Sequence, residues 1–339
     1  MVASRMNDLA YPRRMIPAAL RDLGIDEARV LTIPMTTRFR RITEREAMLL
    51  RGPAGWGEFS AFLDYGPTES SAWLRAAIAD ATQPRPAALR DTVDVNATIP
   101  VAPPQLAARI ATVGGARTAK VKVADPGSTL ADDADRIAAV RDAMGPQAHI
   151  RIDANAAWTL DEALTALPIL DRAAGGLEYA EQPCASIDDL AALRRKLDIP
   201  IAADESVRRA EDPLRVARAE AADLLIMKVQ PLGGTARCLE LADEAQLPVV
   251  VSSALETSVG LSAGVALAAA LPARAAGLGT GTFLAGDVTA QPLHPQHGSL
   301  PVGRIEPDPD LLQRWAADEP TTLRWHERLA ACTQIALPA

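Results

Sequence analysis

The sequence predicts an α/β fold, a modified (β/α)8 barrel of TIM-like form joined to an N-terminal α+β capping domain, and three observations predict it. From about Val93 onward, short apolar runs alternate with amphipathic stretches of helical period. Lys122, Asp153, Glu181, Asp204 and Lys228 each stand at or just past the end of such a run, at intervals of 23–31 residues. That interval suits one strand and its returning helix. The residues before about Val93 lack this alternation and read as a separate, smaller unit.

In that first unit, 1–92, the runs Leu31–Met35, Glu46–Leu50 and Gly55–Phe59 read as strands, with Gly52-Pro53-Ala54 as a turn. Ser70–Ala81 has helical period, and the prolines at 84 and 86 interrupt it. Met1–Ala18 has no clear period. The barrel domain, 93–290, is expected to hold strands at Val93–Ile99, Thr118–Val123, His149–Asp153, Leu177–Glu181, Pro200–Asp204, Leu224–Lys228, Pro248–Ser252 and Ala276–Gly279. Helices are expected at Asp132–Ala143, Leu160–Ala173, Ile187–Leu197 and Gly234–Gln246. Pro200 and Pro248 open strands, where a missing N–H costs least. Gly145 and Gly175 follow helices in the position glycine favours. The alternative, a doubly wound open sheet, usually carries a Gly-rich first turn, which this chain lacks. The proline-rich segment 291–339 is expected to fold back over the capping domain.

The 339 residues suffice for one barrel and a smaller unit, and 48% hydrophobic content supports a full core. A net charge of −8 argues against a nucleic-acid partner. The cysteines, Cys184, Cys238 and Cys332, show neither metal-ligand nor paired spacing, which suits a reducing compartment. Without a signal-like segment or an apolar run of about 18 residues, a soluble, cytoplasmic protein with no membrane association is expected. Oligomeric state is open.

Barrel enzymes carry reactive groups at the carboxyl ends of their strands, where the five charged residues fall. Charges there are costly unless paired or bound to something. Asp153, Glu181 and Asp204 offer oxygen ligands on consecutive strands, a set suited to a hard divalent cation, Mg²⁺ first and Mn²⁺ second. His149, His294, His297 and His326 supply no inward pair, which argues against zinc. Lys120 and Lys122, two apart on one strand, share a face, and Asn155 can point to the same site as Asp153. A cation between two lysines suits proton abstraction beside a carboxylate. The enediolate so formed gains more from the cation than the ground state does. A lysine is a base only when neutral, a form that burial and nearby positive charge favour.

The elements Lys120-Val121-Lys122, Asp153-Ala154-Asn155, Glu181-Gln182-Pro183, Asp204-Glu205 and Lys228, with Gly55-Trp56-Gly57-Glu58-Phe59-Ser60, resemble in order and spacing the motifs of the enolase superfamily, muconate-cycloisomerase-type subgroup. This base-plus-magnesium arrangement is the known pattern of that superfamily. Arg151-Ile152-Asp153-Ala154-Asn155, Glu181-Gln182-Pro183-Cys184 and the segment 252–260 are most similar to its o-succinylbenzoate synthase family, in the short actinobacterial form. Two features depart from the pattern: Thr37-Arg38-Phe39-Arg40 replaces a longer loop, and Gly279-Thr280-Gly281-Thr282 is diagnostic of no single substrate.

That resemblance implies a small-molecule carboxylate substrate and Mg²⁺-dependent dehydration of 2-succinyl-6-hydroxy-2,4-cyclohexadiene-1-carboxylate in menaquinone biosynthesis. Lys122 would remove the ring proton and return one to the departing hydroxide. Asp153, Glu181 and Asp204 would hold the metal, and Lys228 would stabilise the anion. Lys120, Asn155 and Arg151 would surround the ligands, and Ser252 and Ser253 would bind the succinyl carboxylate. An isomerase, an N-succinylamino acid racemase or dipeptide epimerase, would use the same lysines as two bases on opposite faces. A binding barrel that kept the site as a relic is a third reading.

Several residues also have plainer roles open to them. Arg151 can pair with a carboxylate inside the barrel, Ser252 and Ser253 can cap a helix beginning near Glu256, and Glu205 suits an ion pair better than a metal. Arg38 and Arg40 suit solvated charge, Gly233-Gly234 a tight turn, and Cys184 has no histidine partner for nucleophilic work.

Overall fold

The computed structural model describes residues 15–39, 42–209 and 212–337. After a short helix, Ala18–Asp22, the capping domain forms a three-stranded antiparallel meander, Glu27–Phe39, Ile42–Gly52 and Gly55–Phe59. The first two strands run longer than their apolar cores because the ladder extends from Glu27 opposite Arg51 to Pro34 opposite Glu44. The helix Pro67–Thr82 packs across the sheet, burying Trp73, Leu74, Ala77 and Ala81 against Met48, Leu50 and Phe59. Gly57 permits that approach, since a Cβ there would stand 2.0 Å from the Ala77 carbonyl oxygen.

Among the described residues, seven parallel strands form one continuous ladder in chain order. They are Ala97–Ile99, Thr118–Lys122, His149–Asp153, Tyr179–Glu181, Ile201–Ala203, Leu224–Met227 and Val249–Val251. The eighth position closes the ring through two parallel bridges, Val95 with Ala276 and Ser252 with Gly277. The amide of Asn96 donates to the Ala276 carbonyl and that of Gly277 to the Val251 carbonyl. The expected eighth strand is therefore reduced to this two-residue contact, and the chain turns into a 3₁₀ helix at Gly279–Phe283. The expected run Val93–Ile99 is also divided. Thr92–Asp94 pairs antiparallel with Ser299–Pro301 beneath the barrel, and only Ala97–Ile99 joins the parallel ladder.

Two of the covering helices begin where paired side chains satisfy their first amide groups. Thr129 with Asp132, and Thr159 with Glu162, form reciprocal caps for Leu130–Met144 and Leu160–Ala174. Gly175 ends the latter in the left-handed region. The strand Ile201–Ala203 is followed by two short helices, Glu205–Arg208 and Arg215–Arg218, that no sequence periodicity marks. In the tail, Leu300 enters the barrel core. The final helix, Glu319–Ala336, brings Trp325, Leu329, Cys332 and Ala336 into the core of the capping domain, with the Trp325 and Phe59 rings edge to face at 5.4 Å. No helix among the described residues is long and apolar enough to cross a membrane.

Candidate active site

Parallel pairing sets the five charged residues around one end of the barrel. Lys122 lies in register with Asp153, and Asp153 with Glu181, so these side chains emerge at the same level on adjacent strands. Glu181 is opposite Ala202, which puts Asp204 just beyond the next strand end, and Lys228 follows Met227 in the same way. Asp153, Glu181 and Asp204 are all buried, with about 1% of each exposed. Burial this complete demands compensation for each charge.

The lysines supply it. Lys120 Nζ donates to both carboxylate oxygens of Glu181 at 2.8 Å and lies 3.2 Å from Asp153 Oδ2. Lys122 Nζ donates to Asp153 Oδ2 at 2.6 Å and to Asn155 Oδ1 at 2.7 Å. Lys228 Nζ donates to Asp204 Oδ2 at 2.6 Å. The other oxygen of Asp204 accepts from Arg208 Nε at 2.9 Å. The other oxygen of Asp153 accepts from the Asn155 amide at 3.0 Å.

These pairings split the three carboxylates. Burial works to raise Asp153, but Lys122 and Lys120 outweigh it and hold this carboxyl well below the usual range. Asp204 also falls, because Lys228 and Arg208 together overcome burial. Glu181 goes the other way: burial, and the charge of Asp153 beside it, push it up to about 7. Lys120 is held more firmly protonated than an ordinary lysine, since Glu181 and Asp153 overcome its own burial. One ammonium group shared by two carboxylates does not offset both, so Glu181 is the carboxyl that takes up a proton most readily.

Among the described residues no three Asp, Glu, His or Cys side chains meet closely enough to hold an ion, and the inner carboxylate oxygens accept from lysine ammonium groups. The donor set still fits a hard divalent cation. Three buried carboxylates on consecutive strands repel one another, and that convergence of negative charge is what a cation offsets. No histidine or cysteine joins the five residues in these contacts, so the available donors are oxygens.

The remaining expected residues fall in different places. Asn155, in the left-handed region at φ 47°, touches Lys122 and Asp153, and its Nδ2 lies 3.4 Å from Glu205 Oε1. Arg151 is one layer deeper, and its hydrogen bonds go to groups other than the three carboxylates, although the charge of Glu181 still acts on it. It donates to Glu178, to Asn96 Oδ1 and to the Ala275 carbonyl, stapling the barrel interior, and stacks 4.8 Å from the Tyr179 ring. Ser252 and Ser253 are buried past the seventh strand, where Ser253 Oγ meets Thr280 Oγ1 at 2.5 Å and Ser252 Oγ faces the Gly277 carbonyl. Neither caps the next helix, which starts at Ser258 and is capped by Thr257. Glu205 pairs with Arg208 at 2.5 Å. Gly233 and Gly234, both at positive φ, turn the chain into the helix Thr235–Ala245. The Arg38 side chain and Arg40 lie outside the described residues.

Three groups were not anticipated. Arg208 sits four residues after Asp204, a helical spacing that could have flagged it once a helix was drawn there. Gln182 stands beside Glu181 with no exposed surface. Arg45, from the capping domain, reaches the loop after the seventh barrel strand and donates to the Leu255 carbonyl at 2.9 Å, to that of Ala254 at 3.1 Å and to that of Ser60. Beside it, Glu58 accepts from the Thr257 amide at 3.0 Å, the Thr257 hydroxyl at 2.6 Å and the Gly260 amide at 3.1 Å. The capping sheet thus grips the loop that carries Ser252 and Ser253.

Comparison with known proteins agrees with this architecture. A family model described as enolase C-terminal domain-like matches residues 105–308, and one described as enolase N-terminal domain-like matches residues 30–81. The o-succinylbenzoate synthase of Thermobifida fusca (strain YX) is 56% identical over 305 residues, covering 89% of this chain and 95% of that protein. The o-succinylbenzoate synthase of Mycolicibacterium smegmatis (strain ATCC 700084 / mc(2)155) is 51% identical over 93% of this chain and 97% of its own. Among solved structures, the N-succinyl Arg/Lys racemase from Bacillus cereus ATCC 14579 superposes with a TM-score of 0.72 at 22% identity, over 86% of this chain and 97% of that one. The 2-chloromuconate cycloisomerase from Rhodococcus opacus 1CP gives 0.71, also at 22% identity, over 86% and 98%. At such identity these two structures speak for the fold alone.

Proposed function

The chain belongs to the o-succinylbenzoate synthase family of the enolase superfamily, and from that premise we propose that it is a hydro-lyase whose reaction begins with Lys122. The observation that carries this reading is the order of groups around the barrel mouth: three buried carboxylates on consecutive strands, with Lys122 bonded to the first and Lys228 to the last. Members of the superfamily work with a divalent metal, which we take to be Mg²⁺ here, with Mn²⁺ able to replace it.

The substrate is 2-succinyl-6-hydroxy-2,4-cyclohexadiene-1-carboxylate and the product o-succinylbenzoate, a step of menaquinone biosynthesis carried out in the cytoplasm. Asp153, Glu181 and Asp204 would hold the cation, in place of part of the compensation that the lysines now give them. Such a cation would supply positive charge where the carboxylate of the substrate becomes an enediolate. In its neutral form Lys122 Nζ takes the ring proton beside that carboxylate, and the ammonium so formed delivers a proton to the hydroxide, which leaves as water from the same face. Asn155 Oδ1 keeps Nζ aimed along this path. Lys228 Nζ, on the far side of the three carboxylate strands, offsets the charge of the anion. Lys120 stays protonated and balances Glu181 and Asp153. The serine hydroxyls at 252 and 253 receive the succinyl carboxylate. Loss of water makes the ring aromatic, so the first proton transfer is the step that requires help.

The test is turnover of the cyclohexadiene carboxylate, followed in the ultraviolet with Mg²⁺ and again after chelation. Fast conversion that chelation abolishes supports the reading. Metal-loaded, folded protein that leaves this substrate untouched overturns it, and turnover of N-succinylamino acids or dipeptides in its place would identify an isomerase.

A further inference from the structure

Gln182 follows the ligand Glu181 and precedes Pro183, fully buried, with its backbone in the left-handed region at φ 38°. That conformation is uncommon for a residue with a long side chain and is kept only where the surroundings fix it. Here they do so through every polar atom of the residue. Its Oε1 accepts from the Asp204 amide at 2.9 Å and the Ser206 amide at 3.2 Å. Its Nε2 donates to the Cys184 carbonyl at 2.9 Å and to Ser206 Oγ at 2.7 Å. Its own amide donates to the Ala202 carbonyl at 2.8 Å, and its carbonyl accepts from the Ala156 amide at 2.7 Å.

These bonds join the three strand ends that carry the carboxylates. Glu181 is its covalent neighbour, and Asp204 is held through its amide. The turn that carries Asp153 and Asn155 is held through Ala156. A parallel sheet alone leaves these ends free just where the ladder stops, since the pairing of the fourth and fifth strands ends at Glu181 with Ala202. Gln182 continues the cross-linking past that point with a neutral group, which adds no charge to a site already crowded with it.

We infer that Gln182 is a positioning residue that sets the spacing of Asp153, Glu181 and Asp204 for a divalent cation, an inference that rests on the metal-dependent reading above. Positioning groups around metal ligands typically account for about 10–100-fold in affinity. The test uses Gln182→Met, which keeps length and volume but cannot hydrogen-bond, in the full chain. Mn²⁺ affinity is read from the free-ion paramagnetic resonance signal, beside the thermal midpoint of the metal-free protein.

Gln182→Met is expected to weaken Mn²⁺ binding about 10–100-fold. Leu193→Ala, a buried cavity variant on a covering helix, serves as a control that lowers the midpoint and leaves affinity unchanged. Ser206→Ala removes only one of the side-chain bonds and keeps the inference testable should Gln182→Met not fold. Its expected loss is about two- to tenfold, the equivalent of a single hydrogen bond. Unchanged Mn²⁺ affinity in Gln182→Met, or in Ser206→Ala where that variant must stand in, reduces Gln182 to a structural role and overturns the inference. A parent protein that binds no Mn²⁺ overturns the metal-dependent reading itself, a different result from a parent that binds and a variant that binds equally well.

Discussion

Lys120 Nζ lies 2.8 Å from both carboxylate oxygens of Glu181, and the two side chains are almost wholly buried together. Neither is the proposed base, yet this pair sets the charge balance of the site. Removing one partner of a buried ion pair leaves the other charge uncompensated, at a cost of about 3–5 kcal/mol.

Lys120→Met is therefore expected to lower the stability of the metal-free protein by about that amount. A divalent cation takes over part of the lost compensation, so Mg²⁺ should raise the thermal midpoint more in the variant than in the parent. Thermal unfolding with and without chelator checks both statements. Equal stabilisation by Mg²⁺ in the two proteins would show that Lys120 and the cation do not serve the same carboxylates.

A second buried carboxyl gives stability a pH dependence. Burial, aided by Glu256, pushes Glu58 up to about 7, although Thr257 and Arg45 pull the other way. A carboxyl raised on folding keeps its proton in the folded chain after the unfolded chain has lost it. Its contribution is complete below about pH 4.5 and is lost as pH rises through about 7. The slope from this single group is at most about 1.4 kcal/mol per pH unit. Glu58→Gln cannot ionise, so its stability relative to the parent should increase from pH 5 to pH 7.5. Denaturant unfolding at both values measures this, and a difference that stays constant with pH would rule out a protonated Glu58.

Arg45 connects the capping sheet to the loop of Ser252 and Ser253 through the Ala254 and Leu255 carbonyls. Hydrogen bonds to a charged group contribute about 1.5–3 kcal/mol each. Arg45→Met is expected to lose at least one such increment of stability and, if the serines of that loop receive the substrate as proposed, to raise KM more than it lowers kcat. Steady-state kinetics at a temperature where the variant is folded would show the split. A fall in kcat with unchanged KM would place the effect of Arg45 elsewhere.

Much of the barrel was legible because its constraints are local. An apolar run ended by a charge reports a buried strand reaching a polar mouth, and His149–Asp153 and Gly55–Phe59 come out with the bounds their sequences suggest. The same logic brings Lys122, Asp153, Glu181, Asp204 and Lys228 to one end of the barrel, where the strand register also sets them. Where contacts are distant in sequence the signal vanishes. Nothing near Thr92–Asp94 announces its pairing with Ser299–Pro301, and nothing in the apolar run Ala276–Gly279 shows that its pairing stops after Gly277. Arg151 takes the plainer role its sequence leaves open, pairing with the Glu178 carboxylate one layer deeper than Asp153. Arg208 needed a helix that only the fold reveals, and Gln182 needed the knowledge that its neighbours on three strands end together.

Lys122→Ala removes the proposed base, and turnover of the cyclohexadiene carboxylate, Mn²⁺ affinity and thermal midpoint can all be measured on one preparation of it. A positioned base contributes about 10²–10⁴-fold, so turnover should fall by at least that factor while the protein stays folded and still binds Mn²⁺. Turnover within a few fold of the parent in a folded, metal-binding Lys122→Ala protein would rule out Lys122 as the base and move that role to another residue.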